Sequence, residues 1–250
     1  QLRDILANDG SQTVGVISCA RATNEDNYAL QKFARSVLQT HNIDHCARIC
    51  HSPSVAGLAQ TLGSGAMTNS MADVDHADLI VIWGADVTEN HAIFGGRIIQ
   101  AKLNGAKLIV VDPRSTRLAK LADLHIPLHL GSNIALANGL LHIIFREGWQ
   151  ASSFLAERVE WVDILQAHVA AWIPERVQRE TGITPELLYR FAQMYAHSPA
   201  AMLCYGMGIT QFACGTNNVI SLSNLVLVCG QIGRAGTGIN PLRGQNNVQG

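Results

Sequence analysis

Residues 44–57 read Asp-His-Cys-Ala-Arg-Ile-Cys-His-Ser-Pro-Ser-Val-Ala-Gly and set a thiol beside an imidazole in an otherwise apolar, weakly charged chain. A thiolate is a soft ligand and a strong nucleophile, and an imidazole exchanges a proton near neutral pH, so Cys50 and His51 are the first candidates for chemistry. Far along the chain, Asn240-Pro-Leu-Arg-Gly-Gln-Asn-Asn247 places one permanently cationic, planar fork among amide side chains. A thiol, an imidazole and the Arg243 guanidinium together suit a small anion. Taken alone, Cys50 fits a metal ligand, a covalent nucleophile or a core thiol. His45, Cys46, Cys50 and His51 have a zinc-like spacing, but no second cluster closes a four-ligand shell. A thiol hydrolase is weakly supported, because adjacent residues rarely form a nucleophile–base hydrogen bond.

These groups need elements to hold them. After an initial helix, residues 13–18 predict a short buried strand. From Asn24 the spacing of Leu30, Phe33, Ala34, Val37 and Leu38 makes one helical face. Cys50 is expected in a loop, followed by a helix near 55–62 and a Gly-rich loop at 63–69. Regular alternation follows: strand 78–83 and helix 88–103, strand 107–111 and a short helix at 116–121, strand 125–130 and helix 134–147. Continuous apolar strands of this kind are covered on both faces. Three strand–helix units in succession predict an α/β fold, a Rossmann-like, doubly wound, mainly parallel sheet with helices on both faces. Residues 149–183 read as helical. Thr184-Pro-Glu starts another helix, 200–205 is a further strand, and 214–229 a further helix. Residues 230–250 show no regular element.

Composition narrows the classes. The chain is 48% hydrophobic and 15% charged with a net charge of -1, and it has no Lys/Arg cluster of the kind that neutralises phosphates, so nucleic-acid binding is not expected. No apolar run approaches a membrane span. Six cysteines are too few for a disulfide scaffold of this length, and most are expected as small core residues, with Cys50 the exception.

Ligands of doubly wound sheets gather at the carboxyl ends of the strands. Gly84, Gly131, Gly206 and Gly208 lie there, where a backbone without Cβ atoms approaches a ligand closely. Asp112 and Arg114 suit ribose hydroxyls and a phosphate or purine edge. Each loop alone also fits an ordinary turn; together they favour a nucleotide-like ligand. Neither Gly63-Ser-Gly nor Gly206-Met-Gly completes Gly-x-Gly-x-x-Gly, which argues against an ordinary NAD site.

The runs Ser18-Cys-Ala-Arg-Ala-Thr-Asn-Glu-Asp-Asn27, Asp44-His-Cys-Ala-Arg-Ile-Cys-His51, Gly63-Ser-Gly-Ala-Met-Thr-Asn69, Val111-Asp-Pro-Arg114 and Asn240 to Asn247, in this order, resemble the catalytic subunit of formate dehydrogenases within the molybdopterin oxidoreductase family. The resemblance covers essentially the whole chain. It implies two molybdopterin guanine dinucleotides holding Mo or W, with Cys50 as a protein ligand of the metal. It implies His51 assisting proton or hydride movement and Arg243 orienting formate. Gly84, Asp86, Glu89, Asn90, Asp112, Arg114, Gly131, Asn133, Met207, Gly208, Gln211 and Gln245 fall where the family contacts its pterin dinucleotides. Many relatives carry an acidic residue where this chain has Asn133.

The same resemblance implies electron-transfer subunits or domains as partners, and a four-iron four-sulfur cluster in a preceding domain. Residues 1–45 are then the first piece of an interrupted α/β domain, 46–245 the pterin-binding Rossmann-like domain, and 246–250 the start of a return to the first. A chain beginning at Gln1 is expected to be an internal piece of a longer enzyme, inactive alone, in a cytoplasmic rather than a periplasmic protein. The alternatives are another member of the family, such as a nitrate reductase, and a non-catalytic nucleotide-binding scaffold.

Overall fold

A computed structural model describes residues 1–248. Contacts group the chain into two units, one running from Pro53 to Leu242 and the other formed by Gln1–Ser52 with the residues from Arg243 on.

The first unit opens with α1 (Leu2–Asp9) and a 3-10 turn at Ser11–Thr13, which shortens the expected strand to β1 (Val16–Ser18); contrary to expectation it is not buried, and Ile17 is exposed. Helix α2 (Asn24–Ser36) starts at a capping box: the Asp26 amide donates to the Thr23 hydroxyl and the Thr23 amide donates to the Asp26 carboxylate. Strand β2 (Ile43–His45) pairs in parallel with β1, Ser18 opposite His45. The sequence reading missed β2, because three residues carry too little periodicity. The expected loop at Cys50 is instead one helical turn, α3 (Ala47–Cys50), since Ala-Arg-Ile-Cys contains no turn residue. The chain then enters α4 (Ser52–Leu62) with Pro53 in its first turn, where a missing N–H costs nothing.

The return segment bonds back to this unit. Asn247 donates its amide to Ala20 O at 2.9 Å and its side-chain amide to Ala22 O and Asn24 Oδ1, both at 2.9 Å. The last two positions of the expected 246–250 return lie outside the described residues. The contact boundaries, at 52/53 and 242/243, place Cys50, His51 and Gln245 with the first unit rather than within a 46–245 domain.

The second unit is a five-stranded, all-parallel sheet. In chain order its elements are β3 (Leu79–Trp83), α5 (Val87–Asn90), α6 (Ala92–Leu103), β4 (Lys107–Val111), α7 (Arg117–Leu121), β5 (Leu124–Ile126) and α8 (Asn133–Arg146). There follow α9 (Ser152–Arg158), α10 (Val162–Val169), α11 (Pro174–Thr181), α12 (Pro185–Ala196), β6 (Ala201–Tyr205), α13 (Met207–Thr210), α14 (Gly215–Val228) and β7 (Gly238–Pro241). The strand order is β5-β4-β3-β6-β7. Every residue of β3 and β6 is buried, as their unbroken apolar runs require.

Two hydrophobic clusters sandwich the sheet, split by strand alternation: Leu79, Val81 and Trp83 point into one, Ile80 and Ile82 into the other. Helix α8 is central to the first and buries Leu136, Leu140, Leu141 and Ile144, each such side chain contributing about 2 kcal/mol. Gly139 lets α11 close on α8: a Cβ there would stand 2.6 Å from Val177 Cγ2.

Three expectations shift. Helix 88–103 is broken into α5 and α6 at His91, whose backbone leaves the helical region. Strand β5 ends at Ile126 rather than 130, because Pro127 cannot donate to the ladder. The tail contains β7, an edge strand whose Gly and Pro hid it; the Thr68 amide donates to Ile239 O and the Ile239 amide to Thr68 Oγ1, which blunts the open edge.

Candidate functional site

In the sheet unit, the chain goes from β3 outward to β4 and β5, then crosses back to β6 on the other side of β3. The direction therefore reverses between β3 and β6, and their carboxyl-terminal loops flank the crevice where such sheets bind ligands. Those loops meet through glycines. Gly84 has φ +62°, and a Cβ on it would lie 2.9 Å from Gly208 Cα. The Gly208 amide donates to Gly84 O at 2.9 Å, the Gly206 amide to Trp83 O at 3.2 Å, and the Gly84 amide to Val111 O at 2.8 Å. No side chain fits between these backbones, so the crevice floor is main chain, open to a ligand's close approach.

Asn133 belongs to the support beneath that floor. It is buried, and its Oδ1 accepts the Trp83 indole N–H at 2.8 Å while its Nδ2 donates to Gly208 O at 3.4 Å. A residue expected to touch the cofactor is thus engaged internally, and an amide suits the place because one end must accept and the other donate.

After β4, Asp112 is buried and its carboxylate accepts the Arg114 amide at 2.8 Å and the guanidinium at 3.2 Å and 3.3 Å, a bidentate pair. The Arg114 side chain is 66% exposed, so its outer edge faces solvent. Its hydrogen bonds to Asp112, then the Asp112 charge, and last the Asp86 charge raise the Arg114 pKa. Asp86 also accepts from Thr88 Oγ1 at 3.0 Å. Glu89 and Asn90 are exposed on α5, Met207 and Gln211 are exposed at α13, and Gly131 stands at φ +84° with open space around its Cα. The sequence reading passed over His125, whose Nε2 bonds Asp112 O at 2.9 Å from the next strand. Its period-2 position between buried Leu124 and Ile126 was the available signal.

In the other unit, Cys50 closes α3, its amide donating to Cys46 O at 3.3 Å, and His51 follows as the buried cap residue. Burial pushes the Cys50 thiol up, Cys46 pushes it further, and the charge of Arg243 pulls it down; the net shift is upward. Cys50 and Arg243 belong to the same unit. Gln245 accepts from Cys46 Sγ at 3.3 Å. At Cys46 burial also works upward, but the Ala20 amide, the Gln245 and Cys19 side chains and the Ala47 amide outweigh it, so this thiol lies below its ordinary value.

The cysteines are not uniformly core residues. Cys204 and Cys229 are buried, and burial pushes both up to about 12. Cys19, Cys46 and Cys214 are partly exposed, which corrects the expectation for those three. Among the described residues no group of three or more His, Cys, Asp or Glu side chains is placed to hold a metal, and no helix is long and apolar enough to cross a membrane.

Comparison with known proteins extends the picture. Residues 1–250 match the family model described as molybdopterin oxidoreductase. The chain is 48% identical over 245 residues to the F420-dependent formate dehydrogenase 1 subunit alpha of Methanococcus maripaludis, covering 98% of this chain and 36% of that protein. It is 44% identical over 249 residues to formate dehydrogenase H of Escherichia coli, covering 100% of this chain and 34% of that protein. The chain therefore spans about a third of the length of these curated relatives. Among solved structures, acetylene hydratase from Pelobacter acetylenicus superposes with a TM-score of 0.74 at 22% identity over 96% of this chain and 32% of that one, a likeness of fold. A doubly wound sheet with a glycine-floored crevice, aligned along its whole length with this family, makes the chain a member of the molybdopterin oxidoreductases, a family that uses a molybdopterin cofactor.

Proposed function

We propose that this chain is the core of a formate dehydrogenase catalytic subunit, which oxidises formate to CO2 with release of one proton and two electrons. The observation that carries the reading is the alignment of nearly the entire chain with formate dehydrogenase alpha subunits at 46–48% identity. The presence of Cys50, His51 and Arg243 in one unit supports it chemically.

The donor set fits a metal held mainly by a cofactor. In this reading, which follows the family resemblance, Cys50 would be the protein ligand of the metal and the cofactor would supply the remaining donors. A soft thiolate suits Mo or W in a sulfur-rich shell. When bound, Mo or W with two molybdopterin guanine dinucleotides would supply the two-electron redox chemistry.

The chain's own residues do the rest. Arg243 orients formate, its fork matching both carboxylate oxygens. His51 exchanges the proton at its imidazole. The backbone at Gly84 and Gly208 admits the dinucleotide to the crevice, while Asp112, Arg114 and Asp86 offer a carboxylate pair and a half-free guanidinium for ribose and phosphate or guanine. Glu89, Asn90, Gly131, Met207, Gln211 and Gln245 supply further contacts, and Asn133 positions the floor through Trp83 and Gly208. Residues 1–52 with the segment from Arg243 on form the first part of an interrupted α/β domain. Electron-transfer subunits or domains, including an iron–sulfur cluster, take the electrons onward.

The intact protein should reduce an artificial electron acceptor with formate and not re-oxidise one with nitrate. Nitrate-dependent turnover without formate-dependent turnover would overturn the reading in favour of a nitrate reductase.

A further inference from the structure

The geometry points to Cys19 and Cys46 as a redox modification site, a pair of thiols that the small parallel sheet aligns to close into a reversible disulfide. Strands β1 and β2 pair in parallel with Ser18 opposite His45, the last position of the ladder. Cys19 and Cys46 are the residues that directly follow the two strands, where neighbouring strands lie about 4.8 Å apart. That spacing falls within the range a disulfide accepts between Cα atoms.

The Cys46 amide still donates to Ser18 O at 3.1 Å, which holds the two chain ends in register past the ladder. The two sulfurs stand 3.9 Å apart, close to van der Waals contact, and need a further approach of about 2 Å to bond. The Ala20 amide donates to Cys46 Sγ at 3.1 Å and the Arg21 amide reaches Cys19 Sγ at 3.5 Å, so backbone donors stand ready for negative charge on either sulfur. Both side chains are partly exposed, unlike the buried Cys204 and Cys229.

The oxidant is a small-molecule disulfide. The Cys46 sulfur attacks one of its sulfurs, the S–S bond breaks, and one small thiol leaves. The Cys19 sulfur then attacks Cys46 Sγ, and the second small thiol leaves. Two protein thiols lose two protons and two electrons; the small disulfide gains both and becomes two thiols. A dithiol reverses the exchange.

Closure has local consequences. It removes the S–H that Cys46 donates to Gln245 Oε1 at 3.3 Å, two residues past Arg243. It also ties the loop after β1 to the first turn of α3, whose last residue is Cys50. The inference stands on the sheet register and does not depend on formate being the substrate.

The test uses the intact folded protein, incubated with oxidised glutathione, alkylated with iodoacetamide and digested with trypsin without reduction. Arg21, Arg35 and Arg48 put Cys19, Cys46 and Cys50 on three separate tryptic peptides, so each pairing has its own mass. The expected product is the Cys19 peptide joined to the Cys46 peptide, released by dithiothreitol. In Cys19→Ser the expected product is a lasting glutathione adduct on Cys46. A Cys46–Cys50 link as the main product, a stable adduct with Cys19 present, or alkylation of both thiols after oxidant treatment would each overturn the proposal.

Discussion

The two units hold their shape by different means. In the sheet unit β3 and β6 are buried along their whole length, α8 buries eleven of its fourteen residues, and two hydrophobic clusters cover both faces. In the unit carrying Cys50, His51 and Arg243, α1 buries nothing, the strands have three residues each, and Ala20, Ala34 and Leu38 are the buried hydrophobic residues among those described. Little apolar area is removed from water there, so caps, hydrogen bonds and the return segment at Asn247 carry its order. The residues with reactive chemistry thus sit on the less strongly packed unit, while the more strongly packed one presents a backbone cradle. Substitutions should separate accordingly into those that change turnover and those that change melting.

The largest effect is expected on turnover. Arg243→Lys keeps the charge and loses the fork, and formate-dependent kcat/KM in the intact protein should fall by about 10²-fold, some 2.7 kcal/mol, with the melting profile unchanged. An unchanged kcat/KM would remove Arg243 from the reaction. In the sheet unit, Gly84→Ala combines a left-handed backbone with a Cβ 2.8 Å from Gly208 C. It should lower unfolding free energy by about 2 kcal/mol in denaturant titration; a neutral result would mean that the glycine floor relaxes freely.

Smaller effects sharpen the contrast. Asn133→Leu leaves the buried Trp83 indole N–H without its acceptor and should cost about 1.5 kcal/mol in the same titration. At Asp123, partial burial works upward, but Lys102 at 2.6 Å, the Leu108 amide at 2.8 Å and Lys107 at 3.7 Å hold the carboxylate below its ordinary value of 3.8. The folded state therefore binds this proton less readily than the unfolded chain. The contribution is fully present above the ordinary value and is lost as pH falls below it through the folded value. Asp123→Asn should cost about 1 kcal/mol at neutral pH and flatten the acid limb of the stability curve; an unaltered acid limb would contradict the assignment. Asn247→Ala, in the lightly packed unit, should cost about 0.5 kcal/mol, visible as faster amide exchange around Ala20–Asn24 with the sheet unit unmoved.

Much of the sheet unit can be read directly from residue order, because buried parallel strands are written as continuous apolar runs: Leu79–Trp83, Lys107–Val111 and Ala201–Tyr205 begin and end within a residue or so of expectation. The missed strands lacked that signal. β2 has three residues, and β7, Gly-Ile-Asn-Pro, takes its place from pairing with β6 rather than from propensity.

The positions of Gly84, Gly208, Asp112 and Arg114 just after strands were legible in the sequence. The inward engagement of Asn133 was not, since it depends on Trp83 and Gly208, far away in sequence. The surroundings of Cys46 were not legible for the same reason: its partners are Cys19, Ala20 and Gln245, which no local spacing links to it.

Cys50 is the residue on which the proposed chemistry turns. Cys50→Ser, made in the intact protein and assayed for formate-dependent reduction of an artificial electron acceptor alongside its melting curve, tests it most directly. The prediction is loss of formate turnover with melting of the sheet unit as in the parent; formate turnover retained at the parent rate would contradict it.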